Sequence, residues 1–321
     1  MKGFAEILGS LIVGLMPEPP KKASIDLDHI AMNGRLYLWS KEHRNLDDVF
    51  HPSSLSDPCM RLDVVRLMVV AKVWSYEEHG INLTVIPNPD SSLFDYILHR
   101  RFDTGTALHE MEQNKYFGAI PGKLLGRWRC TNCGVIEHQI QIRPAPCNKW
   151  VRIYEGSRLV DERKCTDLGA WEYLEVKLQH PKLGIRARID LPILAGMERI
   201  VIADLKTLGS GRWEQLQKYG KPFPKDVTQL KIYLFLANSG NFFQYPVDEG
   251  ILRYIHQGDP EVGSVHFGVA RDARVETWLH EYIGTVRQLA AKGRWEVATC
   301  ACDKPTQARA KRCPLSPLCF Q

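Results

Sequence analysis

The sequence predicts a mixed α/β or α+β core, with strands and helices flanking one another instead of separating into an all-helical or all-β domain. Three observations lead there. Residues 173–178, 185–193 and 199–207 are three closely spaced strand patterns, and Ala195-Gly196 between the last two suits a hairpin turn. Helical patterns lie on both sides, over 60–70 before them and over 226–237 and 273–292 after them. A further strand, Gly250–Ile255, sits between the last two helices.

Taken in order, Phe4, Ile7, Leu8, Leu11, Ile12 and Leu15 fall on one helical face. Glu6 interrupts that stretch, and Pro17-Glu18-Pro19-Pro20 follows instead of a small-residue cleavage site, so residues 1–50 are expected to be an amphipathic helix and a linker, not a signal peptide. The turn-rich run from His51 to Cys59 leads into the helix Met60–Val70. A second helix falls within 91–116, with Gly105 to Met111 in its middle. From Trp128 to about Arg163 the chain carries cysteines, short strands and little helical period. In Arg199–Thr207 the run Ile200-Val201-Ile202-Ala203 is wholly apolar, which sends this strand toward an interior and away from a solvated face.

The 321 residues are 44% hydrophobic and 25% charged, ordinary for a soluble globular chain that buries a sizeable core. The net charge of +5 permits a nucleic-acid partner without requiring one. No run approaches the roughly 18 apolar residues of a membrane span, and the expected location is cytoplasmic, with no membrane partner. Nine cysteines, an odd number, argue against a disulfide framework. They gather as Cys130, Cys133, Cys147 and Cys165 in the middle and Cys300, Cys302, Cys313 and Cys319 at the end, with Cys59 apart. Such groups in a reducing compartment point to metal ligands.

Asp204 and Lys206 stand at i and i+2, so on a strand they share a face. Asp190 closes the neighbouring strand, where it can converge with Asp204. Two carboxylates beside a lysine make a site for a hard divalent ion, Mg²⁺ or Mn²⁺, that activates water and offsets charge on a phosphoryl oxygen. A lone D-x-K is common; the apolar run before Asp204 is what sends this pair inward, and a buried carboxylate needs a partner or a metal. His109 by itself reads as a helix residue, and Gln229 and Tyr233, at i and i+4, as one helical face. Glu175, on the preceding strand, is either structural or an outer carboxylate.

These pieces, in their order, resemble the RecB-like exonuclease branch of the PD-(D/E)xK nucleases. Gly105-Thr106-Ala107-Leu108-His109 is similar to a helical motif whose histidine binds metal. Gly184 to Asp190 is similar to the strand that ends in the first aspartate, although two extra residues separate its glycine and aspartate. Asp204-Leu205-Lys206-Thr207 and Gln229-Leu230-Lys231-Ile232-Tyr233 are similar to the next two motifs. The resemblance implies a restriction-endonuclease-like core over 51–320, a central mixed sheet flanked by helices. It implies that His109, Asp190 and Asp204 hold the divalent ion, that Lys206 holds the attacking water or offsets phosphorane charge, and that Gln229 and Tyr233 orient the site and the DNA backbone. The implied activity is exonucleolytic hydrolysis of DNA ends, single-stranded or resected, in recombination, repair or phage DNA processing, with recombination or replication proteins as partners. A non-catalytic metal-stapled nucleic-acid-binding protein and an endonuclease of the same superfamily are the alternatives.

Cys130-Thr131-Asn132-Cys133-Gly134 has the spacing and the glycine of a zinc knuckle. Cys147 supplies a third ligand, and either Cys165 or His138 a fourth, Cys165 being preferred; the zinc-binding insertion then spans 126–165. An iron–sulfur subset of the resembled branch uses one cysteine before the nuclease core and three after it. That resemblance implies that Cys59, Cys302, Cys313 and Cys319 hold a [4Fe–4S] cluster across the 300–319 segment, with Cys300 competing for the place of Cys302 and Zn²⁺ as the rival metal. On the substrate side, Arg186, Arg188, Lys218, Lys221, Lys225, Lys231, Lys304, Arg309, Lys311 and Arg312 are candidates for a backbone channel, and Trp213 and Tyr219 for stacking on bases.

Overall fold

The computed structural model describes residues 48–75, 77–79, 103–120, 122–144, 147–165, 171–196, 198–258, 263–307, 310, 313 and 315–320. The expected N-terminal helix and proline linker lie outside them, as do residues 91–102, the first part of the segment expected to hold a second helix, and Arg309, Lys311 and Arg312 near the C-terminus.

The first elements among the described residues are a short helix, α1 (Pro52–Leu55), and the predicted helix α2 (Met60–Val70). Helix α3 (103–111) runs straight into a π-helical turn, Glu112–Phe117. Strands β1 (Leu125–Cys130) and β2 (Ile136–Ile142) follow, then the hairpin of β3 (Trp150–Glu155) and β4 (Arg158–Lys164). Next come β5 (Trp171–Leu174), β6 (Val176–His180), β7 (Ile185–Ile189), β8 (Leu191–Leu194) and β9 (Ile200–Leu208). Helices α4 (Ser210–Tyr219) and α5 (Pro224–Ser239), strands β10 (Glu249–His256) and β11 (Ser264–Ala270), helix α6 (Ala273–Ala291) and the short α7 (Ser316–Cys319) complete the order.

The central sheet has the order β11-β10-β9-β8. Strand β9 pairs parallel with β10 and antiparallel with β8, so the expected mixed sheet is present. Its first six residues are all buried, so the strand is covered on both faces there and lies in the interior, as the apolar run predicts. Helix α5 packs on β10 and β6 and buries nearly every residue from Gln229 to Ala237, so it is a core helix and not an amphipathic one. Helix α6 does show the amphipathic spacing, with Val275, Leu279, Tyr282, Ile283 and Val286 buried, and packs against α2. The Tyr282 hydroxyl donates to Asp63 Oδ2 at 2.7 Å, joining these two helices across more than two hundred residues of chain. Strand β11 and helix α4 are additions that the sequence patterns did not single out. No helix among the described residues is long and apolar enough to cross a membrane.

Two predicted strands are each split in two. The run 173–178 breaks at Glu175, with β5 pairing to β1 and β6 pairing to β7. The run 185–193 breaks at Asp190, with β7 on β6 and β8 on β9. At each break, side chains take over from the strand ladder. The Asp190 carbonyl accepts from the Tyr173 hydroxyl at 2.8 Å and from Gln113 Nε2 at 3.3 Å, and the Glu175 carbonyl accepts from Arg127 at 3.3 Å.

Tyr173 reaches Asp190 because its ring lies over Gly126: a Cβ at Gly126 would come within 2.1 Å of the ring. Gly126→Val therefore has to displace a ring that is 3% exposed, and overpacking of this kind costs about 1–3 kcal/mol. The expected result is a lower urea midpoint with an unchanged slope; a midpoint equal to wild type would show that the ring moves freely.

Candidate active site

Asp204 and Lys206 leave β9 toward the same side, as their i, i+2 spacing requires. The Lys206 ammonium lies 3.0 Å from Asp204 Oδ1 and 2.8 Å from Oδ2. Only Oδ1 receives it with hydrogen-bond geometry, so Oδ2 is a buried acceptor without a hydrogen-bond partner in a residue that is 2% exposed. Asp190, at its strand break, turns its carboxylate toward β9, where Oδ2 accepts from the Leu205 amide at 2.8 Å. His109 Nδ1 lies 3.9 Å from the same Asp190 oxygen. Four of the predicted residues thus meet at one place.

The helix that brings His109 approaches closely because residue 105 is glycine. A Cβ there would meet Thr207 Oγ1 at 2.9 Å, so Gly105 and Thr207 fit together across α3 and β9. The π-helical turn then redirects the next residues. Gln113 donates to Glu175 Oε1 at 3.4 Å as well as to the Asp190 carbonyl, and Asn114 Oδ1 accepts from the Tyr173 amide at 2.7 Å. Glu112, also buried, takes a two-pronged ion pair from Arg253 on β10, at 2.6 and 3.1 Å. Gln113 and Tyr173 escaped the sequence reading. The signal that could have found them is periodicity: Gln113 is one helical turn after His109, and Tyr173 is two residues before Glu175.

Gln229 and Tyr233 are both buried, and Gln229 Nε2 donates to the Tyr233 oxygen at 2.6 Å. Burial, with Asp204 and Asp190 nearby, pushes the phenol well above its usual range. Tyr233 also lines a pocket of about 820 Å³ together with Lys177, Arg186, Arg188 and Phe242. Arg186 and Arg188 stand exposed on β7, as expected, and Lys177, opposite Arg188, adds a cation that the sequence reading missed.

Two expectations on this side are corrected. Trp213 is 4% exposed and packs edge-on to His256, because it shares the inner face of α4 with Leu216. It offers no ring to a base, whereas Tyr219 is 63% exposed. Lys231 is taken up by Asp272 at 2.9 Å, the N-cap of α6, so it ties two helices together instead of facing a channel.

The electrostatics agree with a cation site. Burial pushes Asp190 up to about 6 and Asp204 up to about 7, against the pull of Lys206. Burial also acts to lower Lys206, but Asp204 and Asp190 outweigh it and hold the ammonium above its usual value. His109 is lowered, first by burial and then by Lys206, which leaves a neutral imidazole with a lone pair to offer. A hard divalent ion fits this donor set of carboxylate oxygens and one imidazole, and the orphaned Asp204 Oδ2 is the atom most in need of it.

A separate group is formed by sulfur. Cys130, Cys133, Cys147 and Cys165 place their Sγ atoms within 4.8 Å of one another. Two pairs lie 3.8 and 3.7 Å apart, the edge of a tetrahedron built on metal–sulfur bonds of about 2.3 Å being about 3.8 Å. Cys165, not His138, completes this group. Burial pushes the Cys147 thiol up to about 12, so the group becomes a set of thiolates only when a cation compensates it. At the other end, Arg61 donates to the carbonyls of Ala298 and Glu296, and its amide donates to Thr299, which seats the start of α2 against the segment leading to Cys300. The Cys300 thiol is in hydrogen-bonding contact with Cys319 and Cys59. The chain ends therefore meet as expected, with Cys300 in the midst of that contact and Cys302 buried two residues on.

A family model described as the PD-(D/E)XK nuclease superfamily matches residues 95–320. Among solved structures, that of SSO0001 is similar at 14% identity and a TM-score of 0.37, covering 91% of this chain and 95% of the other. The alkaline exonuclease LHK-Exo of Laribacter hongkongensis is similar at 15% identity and a TM-score of 0.30, covering 38% of this chain and 62% of the other. A phage-related exonuclease from Haemophilus somnus 129PT gives 12%, 0.25, 38% and 61% in the same order. No curated protein matches. Overlaps of this size leave the family match to carry the assignment.

Because Asp190 and Asp204 take up protons near pH 6 and 7, divalent-ion binding is expected to weaken as pH falls through that window, since the ion needs both carboxylates ionised. Calorimetric titration with Mn²⁺ should give a clearly larger dissociation constant at pH 5.5 than at pH 8. An affinity that is flat across this interval would remove these two groups from the ion's site.

Proposed function

The chain belongs to the PD-(D/E)XK nuclease superfamily, and on that premise we propose that it is a metal-dependent deoxyribonuclease that hydrolyses phosphodiester bonds at DNA ends. The observation that carries this reading is the buried β9 pair Asp204 and Lys206, with the Asp190 carboxylate aimed at the same strand. A bound divalent ion would supply an activated water and charge stabilisation at the phosphoryl oxygens. The rest falls to this chain's own side chains. Asp190, Asp204 and His109 hold the ion. Lys206, fixed by both Asp204 oxygens, offsets the negative charge that builds on the phosphorus-bound oxygens. Gln229 fixes the Tyr233 hydroxyl at the floor of the basic pocket, where Arg186, Arg188 and Lys177 take the DNA backbone. Contacts of that kind are indifferent to base sequence, so the enzyme is read as unspecific in sequence. Recombination, repair or phage DNA processing is the setting this activity serves, and the cytoplasm its place.

The sulfur groups are read as structural. Cys130, Cys133, Cys147 and Cys165 hold Zn²⁺ within the 126–165 insertion, and Cys59, Cys302, Cys313 and Cys319, with Cys300 competing for the place of Cys302, hold a [4Fe–4S] cluster across the chain ends.

End-labelled linear DNA incubated with Mg²⁺ or Mn²⁺ should be degraded from its ends, while closed circular DNA persists; loss of the circle at the same rate would make the enzyme an endonuclease. Asp204→Ala and Lys206→Ala should each reduce the rate on the order of 10²-fold or more without unfolding the protein. Wild-type turnover in either variant, or full cleavage in excess EDTA, contradicts the mechanism.

Protein purified without oxygen should contain about one zinc and about four irons per chain. Cys59→Ser should lose the iron and the brown colour and keep the zinc. A colourless wild type holding two zinc ions would replace the cluster by a second zinc site.

A further inference from the structure

The β3–β4 hairpin is the element least explained by the nuclease core. Among the described residues it pairs with no other strand. Along β3, exposure alternates: Trp150, Arg152 and Tyr154 are exposed, while Val151 and Ile153 are half-buried. Val151 packs on the cysteine group, which identifies the inner face of β3, while β4 is exposed along its whole length. A two-stranded ribbon with one solvated face ordinarily puts polar residues outward. Here the outward face carries the two largest side chains of the strand, Trp150 at 64% and Tyr154 at 54% exposure. Large apolar surface left in water in this way marks a binding site.

The chemistry of that face names the ligand. Arg152 stands between the two rings, and Lys164 stands across from Trp150 in the ladder. Leu159, 45% exposed, stands across from Tyr154. Glu162 pairs with Arg152 at 2.9 Å and is the acid of this face. Over residues 149–164 the sequence has five basic and three acidic side chains, so the ribbon is net positive. Rings interleaved with cations on one strand face suit a polyanion whose flat groups are accessible. Trp150 and Tyr154, at i and i+4 with Arg152 between them, stand about 13 Å apart along the strand, nearly four times the 3.4 Å between stacked bases, which suits an extended and unstacked single strand and not a duplex. We propose that the outer face of the β3–β4 ribbon is a stacking platform for single-stranded DNA, with Trp150 and Tyr154 as the stacking rings and Arg152 and Lys164 facing the phosphates.

The platform is held in place. Cys147 precedes β3 and Cys165 follows β4, and both belong to the four-sulfur group with Cys130 at the end of β1. The Cys165 amide donates to the Lys149 carbonyl at 2.9 Å, closing the open end of the ribbon, and Lys149 pairs with Glu137 on β2 at 3.1 Å. Cys130 stands opposite Trp171, the first residue of β5. From Trp171 to Glu175, beside the site, is four residues of extended chain, about 13 Å. A strand resting on the ribbon is thus within a few nucleotides of Asp190. The proposal rests on the nuclease reading for its choice of DNA, but it has its own readout.

The test is fluorescence anisotropy with labelled oligo-dT and with a blunt duplex of equal length, using the full-length protein in buffer without divalent ions or chelator, so that cysteine-bound metal is kept. Trp150→Ala with Tyr154→Ala should weaken oligo-dT binding by roughly 10-fold or more and leave duplex binding within about twofold. Trp150→Phe with Tyr154→Phe should retain most of the affinity. Zinc content and thermal midpoint should match wild type, because both rings are exposed. Hydrolysis of thymidine 5′-p-nitrophenyl phosphate, too short to reach the ribbon, should not change. If wild type binds oligo-dT through these rings but cleaves nothing, the platform stands and the nuclease reading fails. If cleavage of linear DNA proceeds and the double alanine variant binds oligo-dT as tightly as wild type, the platform is wrong and the nuclease reading stands. A variant that changes only the sedimentation of the protein with itself would make the face an interface between copies and overturn the proposal.

Discussion

The structure is organised around an imbalance of charge: one ammonium shares a buried site with two carboxylates. Unit charges 4 Å apart interact by about 4 kcal/mol at an effective dielectric of about 20, so Lys206 can satisfy only part of what Asp190 and Asp204 require. The protein alone leaves Asp204 Oδ2 without a hydrogen bond and both carboxyls shifted toward their neutral forms. Burying such a pair opposes folding. A cation turns the same arrangement from a cost into an attraction. The geometry is therefore that of a site completed by binding, and it explains why Asp204 and Lys206 stand on an inner strand of the sheet instead of on a loop.

Holding like charges together needs a frame that does not relax. The strand break at Asp190 is the clearest case. A continuous β7–β8 strand would point its side chains by simple alternation; the break turns the carboxylate onto the Leu205 amide. What the ladder gives up there is returned by Tyr173 and Gln113 on the Asp190 carbonyl. Tyr173 in turn needs Gly126 beneath its ring, and Gln113 needs the π-helical turn and the Glu112–Arg253 ion pair that fixes it to β10. One charged cluster thus determines a glycine on β1, an irregular turn after α3 and an ion pair on β10.

What could be read from sequence follows from this. Asp204 and Lys206 were legible because a regular strand translates spacing directly into a shared face, and the apolar run before them fixed which face is inside. Helices α5 and α6 and the hairpin of β8 and β9 were legible for the same reason. The breaks at Glu175 and Asp190 were not, since alternation continues through both and only the tertiary partners interrupt it. Trp213 misled because a tryptophan among lysines looks exposed, while its helical partner Leu216 shows the face it shares. Cys165 was preferred as the fourth sulfur, but chain order left His138 open, and only the convergence of the four Sγ atoms decides between them. The contact of Cys300 with Cys59 was not, because it depends on Arg61 fixing the route of residues 296–299.

The four-sulfur group of Cys130, Cys133, Cys147 and Cys165 lies where apolar packing is thin. Beneath the β3–β4 ribbon the buried cluster consists of Cys130, Cys147 and Cys165, with only Cys133, Val151 and Trp171 packed on it. A pair of strands with so little beneath it is marginal in water. Metal–sulfur bonding is strong enough to replace a core at that scale, and an ion held by these four sulfurs would do so without covering the outer face. A ribbon held by ordinary packing would have to turn Trp150 and Tyr154 inward to be stable. Held by its four sulfurs, it can leave them in solvent. Near the C-terminus, by contrast, Ala298 and Leu315 belong to the main core and Cys313, Leu318 and Cys319 pack against it. A metal bound by the four sulfurs would supply beneath the ribbon the rigidity that hydrophobic burial does not, and would leave the outer face of the ribbon open to solvent.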